Sequence, residues 1–266
     1  MPKIDLLIST MDYTAGKLDK TLATVPIDIN VIVVNQVTES LDCDEVFIIR
    51  SNVTCYSFNE KGLSKSRNRL LSLMRSELFV ISDDDIEFLP GAFEQIEQAF
   101  QSNPDQDILT FEMQLPNGQP RKHYPSHSYQ HNKFSIGKVS SCEVAGKTRS
   151  LRLSKVQFDE SFGLGAVYPT GEETIFLRDC LNSNLKIRFV PLTISMHPAE
   201  STGRQFSENS EKARGAVFCR LYGKLSYLIG FAFYFRKRGA VQSTIGYKRA
   251  LCAYLSGIEE FRKITG

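Results

Sequence analysis

Apolar, β-branched runs alternating with helix-patterned stretches constrain this chain more than any other feature. "KIDLLIST" (3–10), "INVIVVNQ" (29–36), "EVFIIR" (45–50), "ELFVISDDD" (77–85) and "DILTFEM" (107–113) read as strands. Between them, "AGKLDKTLAT" (15–24), "GLSKSRNRLLSLMRS" (62–76) and "PGAFEQIEQAFQSN" (90–103) read as helices. The second carries Leu63, Leu70, Leu71 and Met74 on one face, and the third has a proline at its start. Such alternation predicts an α/β layer with a mostly parallel sheet flanked by helices.

Beyond residue 113 the pattern loosens. "LPNGQPRKHYPSHSYQHNK" (115–133) is polar and broken by prolines, which predicts a long loop. "KFSIGKVSS" (133–141) and "SLRLSKVQF" (150–158) suggest strands. "GEETIFLRDCLNSN" (171–184) reads as a helix and "LKIRFVP" (185–191) as the strand after it. The last 60 or so residues turn helical, aromatic and basic, in "FCRLYGKLSYLIGFAFYFRKRGA" (218–240) and "GYKRALCAYLSGIEEFRKI" (246–264). The expected division is a sheet-based domain over 1–205, with halves of about 1–113 and 114–205, followed by a helical extension over 206–266.

Composition narrows the function classes. With 32 basic and 30 acidic residues the net charge is +2, which gives no case for a nucleic-acid partner. The six cysteines, at 43, 55, 142, 180, 219 and 252, form no C-x-x-C pair and read as reduced thiols. The start lacks a basic region followed by a long apolar run, so no signal peptide is expected. The longest near-apolar run, "LIGFAFYF" (228–235), is far short of the roughly 20 residues that cross a bilayer.

The chemistry-bearing residues gather at strand ends. Ligands of an open α/β sheet bind beyond the carboxyl ends of its strands. There "LLISTMDY" places Ser9, Thr10 and Asp12, "VIVVNQ" places Asn35 and Gln36, and "ISDDD" places Asp83, Asp84 and Asp85. Three adjacent carboxylates repel one another, and a hard cation held with phosphate oxygens would relieve the crowding. Asp83 and Asp85, two apart on an extended chain, point the same way. In "GLSKSRNR", Ser64 is a candidate N-cap, and Arg67 and Asn68 fall in a first turn suited to an anion. "FDESFGLGAVYPTGEETIFLRDC" (158–180) runs a glycine-rich loop into Glu172 and Glu173 at a helix start. Carboxylates there can serve as caps to the helix dipole or as a general base. In "ISMHPAEST" (194–202), His197 follows a strand and can complete a metal shell. His123, His127 and His131 have helical metal-ladder spacing, but Pro125 and the loop-like composition argue against zinc.

Taken in series over residues 3 to 200, these segments resemble a family 2 glycosyltransferase of the GT-A fold, of the bacterial surface-polysaccharide kind. The resemblance implies an inverting, metal-dependent transfer of a sugar from a nucleotide sugar, UDP-linked, to a hydroxyl of a glycan or lipid-linked saccharide. It implies that Ser9, Thr10, Asn35, Gln36, Ser64, Arg67, Asn68, Asp83 and Asp84 bind the nucleotide sugar, with Asp83 on the ribose side. It implies that Asp85 and His197 hold Mn²⁺ or Mg²⁺, and that Gly163, Gly165, Ala166 and Gly171 lie on the acceptor side. The family's acidic motif often reads Glu-Asp; here it is Glu172-Glu173, and position favours Glu173 as the base. A phosphatase of the haloacid dehalogenase type shares D-x-D after a strand, but Glu87 stands where that family places Thr or Val. A non-catalytic polysaccharide-binding protein would need no carboxylate base. Finally, "LSYLIGFAFYFRKRG" joins an aromatic stretch to a basic one, as interfacial helices do, so attachment to the anionic inner face of the cell membrane by a cytoplasmic protein is expected; a helix packed on the catalytic domain is the alternative.

Overall fold

The computed structural model describes residues 3–39, 44–197 and 206–265. Cys43, the tail of "ISMHPAEST" from residue 198 and the expected domain boundary at 205 lie outside the described residues. Among the described residues six strands run one way: β1 (Ile4–Met11), β2 (Asn30–Gln36), β4 (Val53–Phe58), β5 (Leu78–Asp83), β7 (Ile108–Gln114) and β10 (Ile187–Met196). Four shorter or edge strands run against them: β3 (Glu45–Arg50), β6 (Glu87–Phe88), β8 (Tyr129–Gln130) and β9 (Val144–Lys147). They join in one sheet of order β3-β4-β2-β1-β5-β9-β7-β10-β6, with β8 on β10. The fold is therefore α/β, a mixed but mostly parallel sheet.

Pleating divides the core. Ile4, Leu6 and Ile8 of β1 bury on one face with Val31, Val33, Phe93, Ile96 and Phe111. Leu7 buries on the other with Ile32, Val34, Phe79, Ile81, Leu70 and Phe176. Successive side chains of a strand point to opposite faces, so helices are needed on both. Helix α3 (Ala92–Ser102) covers the first face; α2 (Leu63–Leu73) and α5 (Glu172–Asn182) cover the second. The short α1 (Asp19–Ala23) follows a turn, so the helical reading of 15–24 holds only for its second half.

Other expectations also need correction. "VTCYSF" is also a strand, one that its sequence pattern does not mark. It alternates buried Val53, Cys55 and Ser57 with half-buried Thr54, Tyr56 and Phe58, and its polar residues mask its place beside β2. Residues 133–141 are not a strand; they form a 3₁₀ turn at Ser135–Lys138 and lead into another at Ser141–Glu143. Residues 150–158 are not one either. Alternating Leu151 and Leu153 imitate a strand, but α4 (Thr148–Ser154) buries Leu151 and exposes Leu153, and ends on Lys155 in a left-handed conformation. The strand of this region is β9, whose Gly146 lies flat against the Phe79 ring; a Cβ there would come within 2.5 Å of it. Strand β10 runs through Pro191, at a register shift between Phe189 and Thr193 where a missing donor is tolerated.

The C-terminal residues form three helices: α6 (Glu208–Tyr222), α7 (Ser226–Gln242) and α8 (Tyr247–Thr265). The stretch 208–242 is long and apolar enough to cross a membrane by length and composition, more than its contiguous apolar run suggests. Gly223, at φ +56°, interrupts it. Helices α6 and α8 press so closely that a Cβ on Gly215 or Gly257 would lie within about 2 Å of the other's backbone. Their cluster reaches Phe162, Tyr168 and Ile175, so the helices pack on the loop before α5.

Candidate functional site

The carboxyl ends of β1, β2 and β5 open into a cleft of about 530 Å³. Ser9, Thr10, Gln36, Arg67, Asp83, Asp84, Asp85, Glu172, Glu173 and His197 line it, from six separate stretches of chain. A larger cavity, about 730 Å³, lies at the opposite sheet edge beside Lys3, Leu78 and Lys147, and gathers none of these residues. Chemistry, more than volume, distinguishes the cleft.

At its floor stands Arg67. The helical run of α2 carries it beneath the sheet edge, where it is 2% exposed. Its Nη1 donates to Glu172 Oε1 at 3.1 Å, and its Nη2 to Ser141 Oγ at 2.8 Å and Asp83 Oδ1 at 3.3 Å. Burial works against the guanidinium charge, but Asp83 and Glu172 outweigh it and raise its pKa. Arg67 thus bridges the end of β5 and the start of α5. Cys142 Sγ adds a contact to Asp83 Oδ2 at 3.2 Å.

The three aspartates differ. Asp83 ends β5. Asp84 accepts from Thr10 Oγ1 at 2.5 Å and pairs with Lys17 at 3.3 Å. Asp85 is more open, its side chain 52% exposed, and lies 3.6 Å from His197 Nε2. Burial first, then Asp83 and Asp84, raises the Asp85 pKa against the opposing pull of His197. His197 itself is held at the end of β10 by its backbone N–H, which donates to Gln114 O at 3.0 Å. Among the described residues no three His, Cys, Asp or Glu side chains converge as a metal cage. One carboxylate and one imidazole do fit a cation whose other ligands are diphosphate and water oxygens.

Glu172 and Glu173 open α5, where the helix dipole favours negative charge. Their surroundings set them apart. Glu172 is buried against Arg67. The pKa of Glu173 is pushed up to about 8, first by burial and then by Glu172, with Arg67 pulling the other way. A carboxylate so raised holds a proton near neutrality and can accept or release one. Gly171, the N-cap, has φ +87° and sits against Val217 of α6.

Several expected residues take other places. Gly62, not Ser64, is the N-cap of α2; Ser64 Oγ donates to Phe162 O at 2.6 Å and tethers the glycine loop. Two N–H groups at that helix start are taken within the chain, Gly62 by Gln36 Oε1 at 2.6 Å and Leu63 by Leu164 O at 2.9 Å. Asn68 faces away from the cleft: it donates to Phe158 O at 3.0 Å and accepts from Phe158 N at 2.8 Å. Asn35 lines an adjoining depression of about 480 Å³ with Asp12, Tyr13, Thr38 and Ser57. Its Oδ1 accepts from Tyr13 N at 2.9 Å and its Nδ2 donates to Ser57 at 3.0 Å. Gly163 and Gly165 adopt φ +103° and +81°, and Ala166 N–H donates to Gly163 O at 3.0 Å. They shape the loop that presents Leu164, Pro169 and Thr170 to the cleft.

Two cations at the cleft escaped the sequence reading, Lys17 and Arg121. Arg121 sits in an irregular segment, where no periodicity marks a residue as inward-facing, and Lys17 in a turn at the start of the stretch read as helical. Nearby, Glu143 is buried between Lys122 Nζ and Tyr124 Oη, each at 2.7 Å. His131 bonds Thr110 at 2.8 Å and Ser135 at 3.0 Å, and burial lowers its pKa to about 4. It shares a separate pocket with His123 and His127.

The fold matches that of S. aureus TarS. The TarS 1–349 structure in complex with UDP-GlcNAc superposes with a TM-score of 0.66 at 13% identity, over 99% of this chain and 82% of that one. Its complex with UDP gives 0.61 at 15% identity, over 97% and 81%. At these identities the likeness is one of fold. No curated protein sequence matches the chain. The sequence model of "Glycosyl transferase family 2" matches residues 28–161, which include β2 through β9 and carry Arg67 and the three aspartates. On that match, which spans half of its length, the chain belongs to glycosyl transferase family 2.

Proposed function

We propose that the cleft transfers a sugar, with inversion, from a UDP-sugar to a hydroxyl of a glycan or lipid-linked saccharide in bacterial surface-polysaccharide synthesis. The observation that carries this reading is the meeting of Asp83, Asp85, His197 and Glu173 around one opening at the carboxyl edge of the sheet. In it, Asp83 and the adjoining depression at Asn35 receive the nucleoside, consistent with the UDP-GlcNAc bound by the TarS structure of the same fold. Asp85 and His197 would hold Mn²⁺ or Mg²⁺, which when bound would supply Lewis acidity toward a leaving diphosphate. This reading keeps the protein in the cytoplasm with its donor.

The chain's own groups do the rest. Glu172 is engaged by Arg67 and orients the start of α5. That leaves Glu173, in its ionised form, to accept the proton of the acceptor hydroxyl. The hydroxyl oxygen then attacks the anomeric carbon from the side away from the diphosphate. The bond to the diphosphate breaks, and positive charge builds on the sugar as in other glycosyl chemistry. Leu164, Pro169 and Thr170 border the acceptor side.

The test is release of UDP from a panel of UDP-sugars with candidate saccharide acceptors. Turnover should need an acceptor, stop with EDTA, and return with Mn²⁺ or Mg²⁺. The product should carry the inverted anomeric configuration by NMR. A retained configuration, or turnover indifferent to chelation, counts against the reading.

A further inference from the structure

Helix α7 carries an unmatched surface. Leu225 just before it and Leu228, Phe231 and Phe235 within it are 61%, 69%, 57% and 63% exposed. Spaced three, three and four residues apart, they form one stripe about 15 Å long. The opposite side is fixed to the protein. Ser226, Gly230, Tyr234 and Val241 are buried, Gly230 lies against the Tyr254 ring, and Tyr234 Oη donates to Glu211. One face is thus committed to α6 and α8, and the other is apolar and open.

Charge at the stripe is one-sided. Helix α7 carries Arg236, Lys237 and Arg238 and no acidic residue, and Lys224 precedes it, in a protein with 32 basic and 30 acidic residues overall. Lys224, Arg236, Lys237, Arg238 and Lys248 are exposed and make no ion pair among the described residues. Basic groups also flank the aromatics. Arg238 stands 5.7 Å from the Phe235 ring, and Arg262 stands 5.1 Å from that of Tyr227.

We propose that this face of α7 docks on an anionic lipid surface, lying in the headgroup plane and not crossing it. An apolar stripe bordered by cations matches acyl chains beneath anionic headgroups. The buried, hydrogen-bonded far side of α7 excludes a spanning arrangement without unpacking Tyr234 from Glu211. A second copy is a poor occupant, because pairing two such faces sets basic residues against basic residues with no acid between them. Since α6 and α8 also pack on Phe162, Tyr168 and Gly171, docking would hold the cleft's loop in a fixed orientation to the lipid.

Flotation with phosphatidylglycerol vesicles and with phosphatidylcholine vesicles tests this. The wild-type chain should float with the anionic vesicles at low salt, lose them at high salt, and ignore the neutral ones. Phe231→Glu with Phe235→Glu, and separately Arg236→Ser with Lys237→Ser and Arg238→Ser, should each lower binding at least about tenfold, with thermal unfolding unchanged. Wild-type protein that stays unbound with every vesicle overturns the proposal, as do variants that float like wild type. So does a dimer, seen by sedimentation, that Phe231→Glu breaks while vesicles bind neither form.

Discussion

In the cleft, charges of both signs are matched, most closely at its buried floor: Arg67 lies between Asp83 and Glu172, and Lys17 pairs with Asp84. On α7 and just before it, Arg236, Lys237, Arg238 and Lys224 stand in solvent beside open apolar side chains. The same chain thus treats charge in two ways. Enclosed, matched charge is sensitive to every substitution, because losing one partner strands the other. Exposed charge matters only when a partner arrives from outside. Substitutions in the two regions should therefore differ in what they damage.

The largest difference is expected in turnover. Glu173→Gln keeps size and removes the proposed proton acceptor, so donor binding should persist while turnover falls by about 10² to 10⁴. Glu172→Gln should act more mildly on turnover. Kinetics at saturating donor separate the two; a larger loss at Glu172 would exchange their roles. Arg67→Met comes next. It leaves Asp83 and Glu172 facing each other and should cost about 3–5 kcal/mol by denaturant unfolding.

Glycines extend the comparison. Gly171→Ala meets both φ +87° and the Val217 side chain at 2.5 Å, and should cost about 1–3 kcal/mol. Gly239→Ala on α7, with nothing within 4 Å of its added Cβ, should be neutral or stabilise by up to about 1 kcal/mol. The pH dependence is subtler. Glu173, with its pKa raised, keeps a proton in the folded protein that the unfolded chain has released, from about pH 4.5 to about 8. Without donor or metal, this group should make stability fall as pH rises through that window, and Glu173→Gln should flatten the slope. Smallest of all, Phe231→Ser should alter unfolding by no more than about 0.5 kcal/mol.

What could be read from sequence follows the same division. Ser9, Thr10, Gln36 and Asp83 to Asp85 were legible because parallel strands place their last residues on one edge, whatever their length. The partnership of Arg67 with Glu172, 105 residues apart, was not: both residues were singled out, but nothing local says they meet. Ser64 and Asn68 looked suited to a ligand because Ser and Asn are equally suited to backbone carbonyls, which is where they went. Arg121 lies in a segment without a period, and Lys17 in a turn that the pattern of 15–24 presents as helix. In α7, aromatic and apolar residues occur on both sides of the helix, so sequence alone could not say which side was covered.

The central claim is that the edge holding Asp85 binds a nucleoside diphosphate together with a divalent cation. Calorimetry of UDP binding, with and without Mn²⁺, to the wild-type chain and to Asp85→Ala tests it most directly. The expected result is one UDP per chain, bound more tightly with Mn²⁺, and loss of that Mn²⁺-dependent gain in Asp85→Ala. UDP binding that is equal with and without Mn²⁺, or a full Mn²⁺ effect in Asp85→Ala, would contradict it.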